Sequence, residues 1–490
     1  MLLSQLFSDM KITGSIPPDY IDINGVCEHT NEIVPGVLFL CKRGTHTDAA
    51  DFLDEIERRG AVALLRDEQH PLPRPSRIPC FYTRDMAYAE AKIWSRFYRE
   101  PERSLRLIAI TGTNGKTSTA LFLHHILNSA GIPTGYIGTL GALGAHNEVI
   151  HRAECSNTTP TAQFLYEYFR RFVNSGVTTV VLEVSSHAIS EKRVCLLSFR
   201  IALFTNLSED HLDYHKTMAK YFMAKKQLFY QCESAIINKD DDYGAILLET
   251  LSCPRQSIGL LENADFTATN PYENGMKSTQ YTCRTPFGKF SVSYPLFGTF
   301  NVYNTLLAIA TATALGVCPD QIASAMKTMV HPRGRLELLP LAQDFSVIID
   351  YAHTPDAMEK VIKAVRPQTR GKVFLVFGTG GEREREKRPI MGQIACSLAD
   401  RVFITTDNPR GEAQADIFKD IVSGLNDCCN YTVIENRGEA ICAALNALSA
   451  GDTLLLLGKG HEEYILSSEG QLFFSEREII HAYLEKKDKL

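Results

Sequence analysis

The segment Gly112-Thr-Asn-Gly-Lys-Thr-Ser118 sets two glycines, a lysine and three hydroxyls in the order a polyphosphate site needs. Gly112 and Gly115 allow backbone conformations closed to other residues. A turn of this kind between a strand and a helix aims backbone N–H groups and the helix N-terminus at phosphate oxygens. Lys116 adds a point charge, and the Thr117 hydroxyl suits Mg²⁺. The general phosphate-loop pattern has four residues between its glycines, whereas only Thr113 and Asn114 separate Gly112 from Gly115. A chance Gly-rich turn is the plain alternative, and it leaves the agreement of strand, loop and helix unexplained.

Two further clusters carry chemistry. Glu183 ends an apolar run and begins Glu183-Val-Ser-Ser-His-Ala188, so its carboxylate is expected at the ligand-binding edge of a sheet near the phosphates. Phe204-Thr-Asn-Leu-Ser-Glu-Asp-His-Leu-Asp-Tyr-His215 gathers three acids and two histidines behind another strand. A lone histidine there would be read as structural; the cluster favours a site. Lys225 lies one turn beyond Tyr221 on the following helix and, taken alone, reads as an ordinary surface lysine.

The elements that must position these groups alternate apolar strand, polar turn and amphipathic helix. Leu105–Ile110 leads through the loop to a helix over Thr117–Ala130, and Thr179–Glu183 and Ile201–Thr205 read as further buried strands. Beyond Arg333-Gly-Arg335 the alternation restarts with Val347–Asp350, Val373–Phe377, Val402–Thr405 and Leu454–Leu457, each ending at a polar cluster where open α/β sheets place ligands. Ahead of the charged stretch Arg99–Arg103, short strands Gly36–Cys41 and Ala61–Leu65 flank a helix-like Ala49–Arg59.

The chain has 490 residues, enough for several cores, and three domains are expected: 1–103, 104–332 and 333–490. With 51 basic against 57 acidic residues and a net charge of -6 there is no basic field for nucleic acid. The 13 cysteines form no C-x-x-C pair, Cys428 and Cys429 being merely adjacent, which fits reduced thiols. Met1 to Lys11 has no basic start before an apolar core, and no uncharged apolar run reaches bilayer length. A cytoplasmic protein without a membrane span is expected.

The shortened loop Thr-Gly-Thr-Asn-Gly-Lys-Thr resembles the ATP site of the Mur ligase family of amide ligases, and the resemblance extends over nearly the whole chain. It implies a three-domain α/β architecture: a small N-terminal α/β domain that binds the UDP-linked substrate, a central P-loop ATP-binding domain with a parallel sheet, and a C-terminal Rossmann-like domain that binds the amino acid. It implies ATP and Mg²⁺ as cofactors, and a monomer is expected. Tyr221-x-x-Ala-Lys225-x-x-Leu-Phe229 is similar to the family segment whose lysine is carbamylated. By this resemblance Thr117 and Glu183 serve one metal, while His211 and carbamylated Lys225 help hold a second. A carboxylate attacking a γ-phosphate brings two anions together, so the metals and Lys116 would neutralise charge while an acyl phosphate forms and then meets an amine.

Other matches imply further roles. Asn157-Thr158-Thr159-Pro160, Ser185, Glu191 and Arg193 fall where the third amino-acid-adding ligase of the family holds UDP-N-acetylmuramoyl-L-alanyl-D-glutamate, with a short helix after Pro160 offering its N-terminus. A helix cap is the plain alternative for Asn-Thr-Thr-Pro. Gly298-Thr-Phe-Asn301-Val-Tyr-Asn304 resembles the helix start that contacts the nucleotide base; Arg333-Gly-Arg335-Leu-Glu337 and Asp350-Tyr-Ala-His353-Thr-Pro355 resemble elements that close over ATP. Asp407-Asn408-Pro409-Arg410 resembles the tetrapeptide by which some members recognise meso-diaminopimelate. With Gly381-Glu-Arg383 and Gly458-Lys-Gly-His-Glu462, it implies Arg383 and Arg410 for carboxylates and Glu462 for the distal ammonium.

The chain departs from the family pattern at Glu28-His-Thr-Asn-Glu32, Gly44-Thr-His-Thr-Asp48-Ala49, Glu191 and Gly411-Glu-Ala-Gln-Ala415. Three alternatives stay open: the same chemistry with L-lysine or L-ornithine, a paralogous ligase with another carboxylate donor, and, from a different class, a P-loop NTP hydrolase. A folylpolyglutamate-type ligase fits less well, because a whole domain precedes Gly112. A nucleotide-binding module without catalysis gives no role to Lys116, Thr117, Glu183, His211 and Lys225.

Overall fold

The computed structural model describes every residue except 15, 45–46, 152–156, 262, 426–429 and 488–490, so Cys428 and Cys429 lie outside the described residues. The backbone divides into two compact units, Met1–Ala109 with Pro133–Arg200, and Ile110–Ile132 with Ile201–Leu490.

In the first unit a five-stranded sheet runs in the order Ile12–Gly14, Cys80–Thr83, Ala63–Asp67, Val37–Leu40, Gly25–Cys27, parallel except for the Ile12–Gly14 edge. Every side chain of Val37–Leu40 is buried, as a parallel strand covered on both faces requires. The expected helix over 49–59 divides into a 3-10 turn, Ala49–Phe52, and an α-helix, Leu53–Arg58. Asp48 caps the start of the turn: its carboxylate accepts from Ala50 N at 2.9 Å while gripping buried Arg66 with both oxygens at 2.8 Å. Glu28, one of the residues departing from the family pattern, is likewise committed inside the fold, accepting from Lys42 Nζ at 2.5 Å and Trp94 Nε1 at 2.8 Å. The same unit holds Thr179–Glu183 parallel to Thr134–Gly138, with Gly141–Leu143 and Val149–His151 added antiparallel.

In the second unit the loop at Gly112 opens the helix Lys116–Ser129, which lies against Thr299–Ala314. Cys232–Asn238, Arg255–Gly259 and Phe266–Glu273 are parallel. Two antiparallel strands, Thr279–Thr285 and Gly288–Tyr294, extend that sheet and were not anticipated from sequence. Their signal is visible afterwards: Tyr281 and Cys283, then Val292 and Tyr294, bury alternate positions on either side of a turn at Pro286-Phe-Gly288.

A six-stranded sheet follows, in the order Glu337–Leu338, Ser346–Asp350, Thr453–Leu457, Val373–Phe377, Arg401–Ile404, Tyr431–Val433, parallel but for the first. Alternate residues feed two cores. Ile348, Leu375, Val402 and Leu455 pack against Pro355–Val365, Lys387–Leu398 and Gln414–Val422, while Val347, Phe374, Phe403 and Leu454 pack against Arg437–Ala447 and Glu476–Lys487. The expected strands and helices from Leu105 onward are present with ends shifted by up to two residues. Thr205 falls just outside its strand, Phe199–Phe204, and uses its hydroxyl in the phosphate loop instead.

Candidate active site

The phosphate loop is built almost wholly from backbone. Gly112 has φ +145°, and a Cβ there would lie 1.9 Å from Thr205 Oγ1; Gly115 has φ +84°, and a Cβ would lie 2.4 Å from Asn304 Oδ1. Only glycine fits either place. Thr113 N donates to Asn206 O at 2.8 Å and Asn114 N to Asn206 Oδ1 at 3.0 Å. Thr205 Oγ1 and Asn206 Nδ2 donate to Asn114 O at 2.7 and 3.0 Å. Lys116 folds back so that its Nζ donates to Gly112 O at 2.9 Å and Thr113 O at 2.8 Å. Asn301 and Asn304 join the loop through Thr119, whose hydroxyl donates to Asn304 Oδ1 at 3.3 Å, while Asn304 Nδ2 donates to Asn301 Oδ1 at 3.2 Å. Ser118 is buried at the start of the helix.

Residues distant in sequence converge on this loop. Arg335 donates from Nη2 to Thr117 Oγ1 at 3.0 Å and lies over the Tyr351 ring, 4.6 Å from its centroid. Asp350 accepts from Leu336 N at 2.6 Å and Ala352 N at 2.7 Å, with burial pushing its pKa up and Arg335 opposing that. Asn114 Nδ2 donates to Asp356 Oδ2 at 2.9 Å. Burial would raise the Asp210 pKa, but the charges of His211, His353, Lys387 and Lys116 outweigh it and hold the carboxyl at about 2. His211 sits 3.3 Å from that carboxylate through Nε2. His353 donates from Nδ1 to Tyr351 O at 2.8 Å; burial, then Lys387, lowers its pKa, favouring the neutral ring.

The surface reading of Lys225 is overturned. The residue is 1% exposed, its Nζ donates to Gly112 O at 2.9 Å, and it lies 4.6 Å over the Tyr221 ring. Complete burial, and then the charge of Lys116, drive its pKa well below the usual lysine range. On the helix Met218–Lys226 the buried residues are Tyr221, Phe222, Ala224 and Lys225, so the lysine shares the inward face with apolar neighbours, which spacing alone did not reveal.

In the first unit Glu183 is fully buried, accepting from Tyr136 Oη at 2.5 Å, Thr139 N at 3.1 Å and Thr139 Oγ1 at 3.1 Å. Tyr136 and Thr139 carried no motif and were missed. Thr159 Oγ1 donates to Glu183 O at 2.9 Å and accepts from Ser185 N at 3.0 Å; Arg193 donates to Thr159 O at 2.8 Å and to Glu191 Oε2 at 2.5 Å. Thr159, Ser185, Glu191 and Arg193 are thus gathered, while Asn157 is exposed and Thr158 half-buried. The helix after Pro160 is not short: Ala162–Asn174 has 13 residues and begins two positions later than Pro160, with no side-chain cap from Thr161.

The segments around Arg383, Asp407–Arg410 and Gly458–Glu462 form a second polar cluster of the second unit. Arg410, at φ 53°, donates from N to Leu466 O at 2.9 Å and from Nη1 to Gly381 O at 2.8 Å. Burial and the charge of Arg383 both lower its pKa, Asp407 and Glu462 opposing them; both arginines border Gly380, where a Cβ would lie 2.9 Å from Arg410 Nη1 and 3.7 Å from Arg383 Cγ. Lys459, fully buried and not anticipated, donates to Asn408 Oδ1 at 2.5 Å and Tyr464 O at 2.7 Å, and lies 3.4 Å from Glu462 Oε2. Asn408 Nδ2 donates to Glu462 Oε2 at 2.9 Å, and Tyr351 Oη to Oε1 at 3.2 Å. Burial and Asp407 push Glu462's pKa up. Pro409 packs its carbonyl against Gly381, and Gly458 lies against Asp407.

Among the described residues no three His, Cys, Asp or Glu side chains converge as a metal site. The expected set, Thr117, Glu183, His211 and Lys225, contains only two of those residue types, so it is not of that kind. No helix of the described residues is long and apolar enough to cross a membrane.

Residues 110–312 match the Mur ligase middle domain, and residues 334–460 match the Mur ligase, glutamate ligase domain. UDP-N-acetylmuramoyl-L-alanyl-D-glutamate--2,6-diaminopimelate ligase of Listeria innocua is 36% identical over 497 residues, covering 99% of each chain. The protein of the same name from Bacillus licheniformis is 39% identical with the same coverage. A solved structure of a ligase of that name superposes with a TM-score of 0.68 at 25% identity, over 100% of this chain and 99% of that one. With the shortened phosphate loop and its converging partners in place, the chain belongs to the Mur ligase family of ATP-dependent acid–amino-acid ligases.

Proposed function

We propose that the chain adds meso-diaminopimelate to UDP-N-acetylmuramoyl-L-alanyl-D-glutamate in the cytoplasmic assembly of peptidoglycan precursors. The observation that carries this reading is the cluster of charged side chains around Gly380: Arg383 and Arg410 both border that glycine, and Asn408 joins Glu462 close by. Two guanidinium forks suit two carboxylates, and a buried carboxylate pair relieved by one lysine suits one distal ammonium. The names of the relatives agree with this reading.

The domains proposed are 1–103 for the UDP-linked substrate, 104–332 for ATP and 333–490 for the amino acid. Gly112 to Ser118 cradle the phosphates, Asn301 and Asn304 face the base side, and Arg335, Asp350 and His353 bring the last domain to the nucleotide. Asn157, Thr158, Thr159, Ser185, Glu191 and Arg193 hold the muramoyl dipeptide. The substrate carboxylate attacks the γ-phosphorus, the bond to the bridging oxygen breaks and ADP leaves. The neutral amine then adds to the acyl phosphate, and the tetrahedral intermediate expels phosphate as the amide forms. Lys116 balances the charge that develops between the two anions.

The residues suit Mg²⁺ with one modification. Burial of Lys225 favours loss of the ammonium proton, and the free amine is the nucleophile that addition to CO₂ requires: the N–C bond forms, a carbonyl π bond opens, a second proton leaves nitrogen, and the side chain becomes an anionic carbamate. Thr117 would serve one Mg²⁺, the role the sequence also gives Glu183, while His211 and carbamylated Lys225 would help hold a second; when bound, the metals neutralise phosphate charge.

A second reading, a different carboxylate donor, draws on the N-terminal substitutions, where Glu28 and Asp48 are spent on Lys42, Trp94 and Arg66. Phosphate release with UDP-N-acetylmuramoyl-L-alanyl-D-glutamate and a panel of meso-diaminopimelate, L-lysine and L-ornithine tests both. Turnover with diaminopimelate and none without an amine is expected. Turnover with L-lysine alone overturns the amino-acid assignment, and steady ATP hydrolysis without an amine points to an NTP hydrolase.

A further inference from the structure

Behind the two guanidiniums lies a third, Arg388, wholly excluded from solvent in the helix Lys387–Leu398. Its planar fork meets Glu412 in parallel, Nη1 to Oε1 at 2.7 Å and Nη2 to Oε2 at 2.7 Å. Nη1 also donates to Asp420 Oδ2 at 2.8 Å and Nη2 to Gly380 O at 3.2 Å. Glu412 in turn accepts from Glu382 N at 2.9 Å. Arg388 and Glu412 therefore grip both segments that present the recognition residues: Gly380 and Glu382 flank the turn to Arg383, and Glu412 stands two positions after Arg410. The two segments are stitched directly as well, Gly381 N donating to Asn408 O at 2.9 Å and Arg410 Nη1 to Gly381 O at 2.8 Å. Asp420 is shared with Arg385, so the acidic side of the brace is itself held in place.

We propose that the Arg388–Glu412 pair is the positioning element of the amino-acid pocket, setting the spacing between Arg383 and Arg410 and hence the affinity for the amino-acid substrate. The assignment of that pocket rests on the function proposed above. A bidentate buried pair suits this work because its fork fixes direction as well as distance, and an angstrom of misplacement at a carboxylate clamp is costly. The brace touches neither the phosphate loop nor Arg335, so its effect is confined to one substrate.

The full chain is assayed for phosphate release with the amino acid and ATP varied separately, for the unaltered protein, Arg388→Met and Glu412→Gln. Glu412→Gln keeps the shape of the pair and leaves Arg388 with Asp420, which provides a folded variant should Arg388→Met not fold. The expected result is a KM for the amino acid raised about tenfold or more, with the KM for ATP and kcat at saturation within about twofold. The double variant adds little to the larger single effect, because both act through one contact. An unchanged amino-acid KM in Glu412→Gln, or a parallel loss in every parameter, overturns the proposal. Should the unaltered chain use L-lysine in place of diaminopimelate, the substrate assignment fails while the brace is tested unchanged on the KM for L-lysine.

Discussion

The loop at Gly112 to Ser118 and the loops around Arg383 and Arg410, the sites proposed for phosphate and for the amino acid, are held in place by different means. Around Gly112 to Ser118 the polar groups are mostly backbone, held by Thr205, Asn206 and Asn304, and the side chain of Lys225 is buried against the Gly112 carbonyl. Around Asp407 to Arg410 the groups are side chains, and each buried charge rests on another: Arg388 on Glu412, Lys459 on Glu462, Arg437 on Glu476. A loop made of amides tolerates many neighbours because its geometry is local. A pocket made of charges depends on partners contributed by four separate segments, since an unpaired buried charge costs several kcal/mol.

The largest expected effect falls on the amide side of this comparison. Lys225→Ala removes the amine proposed to become a metal-holding carbamate, and kcat should fall about a thousandfold, or ~4 kcal/mol of transition-state stabilisation. Thermal unfolding should change little, because the amine removed is one whose burial already costs stability. A variant with near-normal kcat would break the contrast, leaving Lys225 a packing residue.

On the charge side, Arg410→Ala should raise the KM for diaminopimelate about a hundredfold while ATP binding, followed by nucleotide titration, stays within about twofold. Equal losses for both substrates would mean that the two regions do not act separately.

The smallest effect concerns acid. Arg388 beside Glu412 holds the glutamate carboxyl at about 2, below its ordinary value of 4.5. A lowered carboxylate pKa contributes stability fully above the unfolded-state value, and that contribution disappears as pH falls through the folded value. Denaturant unfolding between about pH 5 and pH 2 should therefore show a steeper loss for the unaltered protein than for Glu412→Gln. Parallel pH profiles would show that the brace contributes nothing electrostatic.

Much of the phosphate site was legible because its residues are contiguous: strand, Gly112, Gly115, Lys116 and Thr117 follow one another, and their conformational demands are visible in the residue types. The alternating strands of the last sheet were legible for the same reason, their apolar runs being short and closed by polar clusters. The antiparallel pair at 279–294 was not, because half its alternating positions are polar and it resembles loop until paired. Arg388 and Lys459 were also passed over. In sequence a buried, paired cation looks like an exposed one, and only the proximity of Glu412 or of Asn408 and Glu462 distinguishes them.

Lys225 marks the boundary between the two kinds of information. Its place in Tyr221-x-x-Ala-Lys225 suggested a role only through family resemblance, and its lowered pKa arises from desolvation by surrounding chain and from the charge of Lys116. Local order determined which residues could form a nucleotide loop, where strands end and which turns need glycine, since these depend on dihedrals and neighbours along the chain. Burial, and with it every shifted protonation state and every paired charge, was decided by the tertiary structure, because solvent exclusion is a property of segments brought together from far apart.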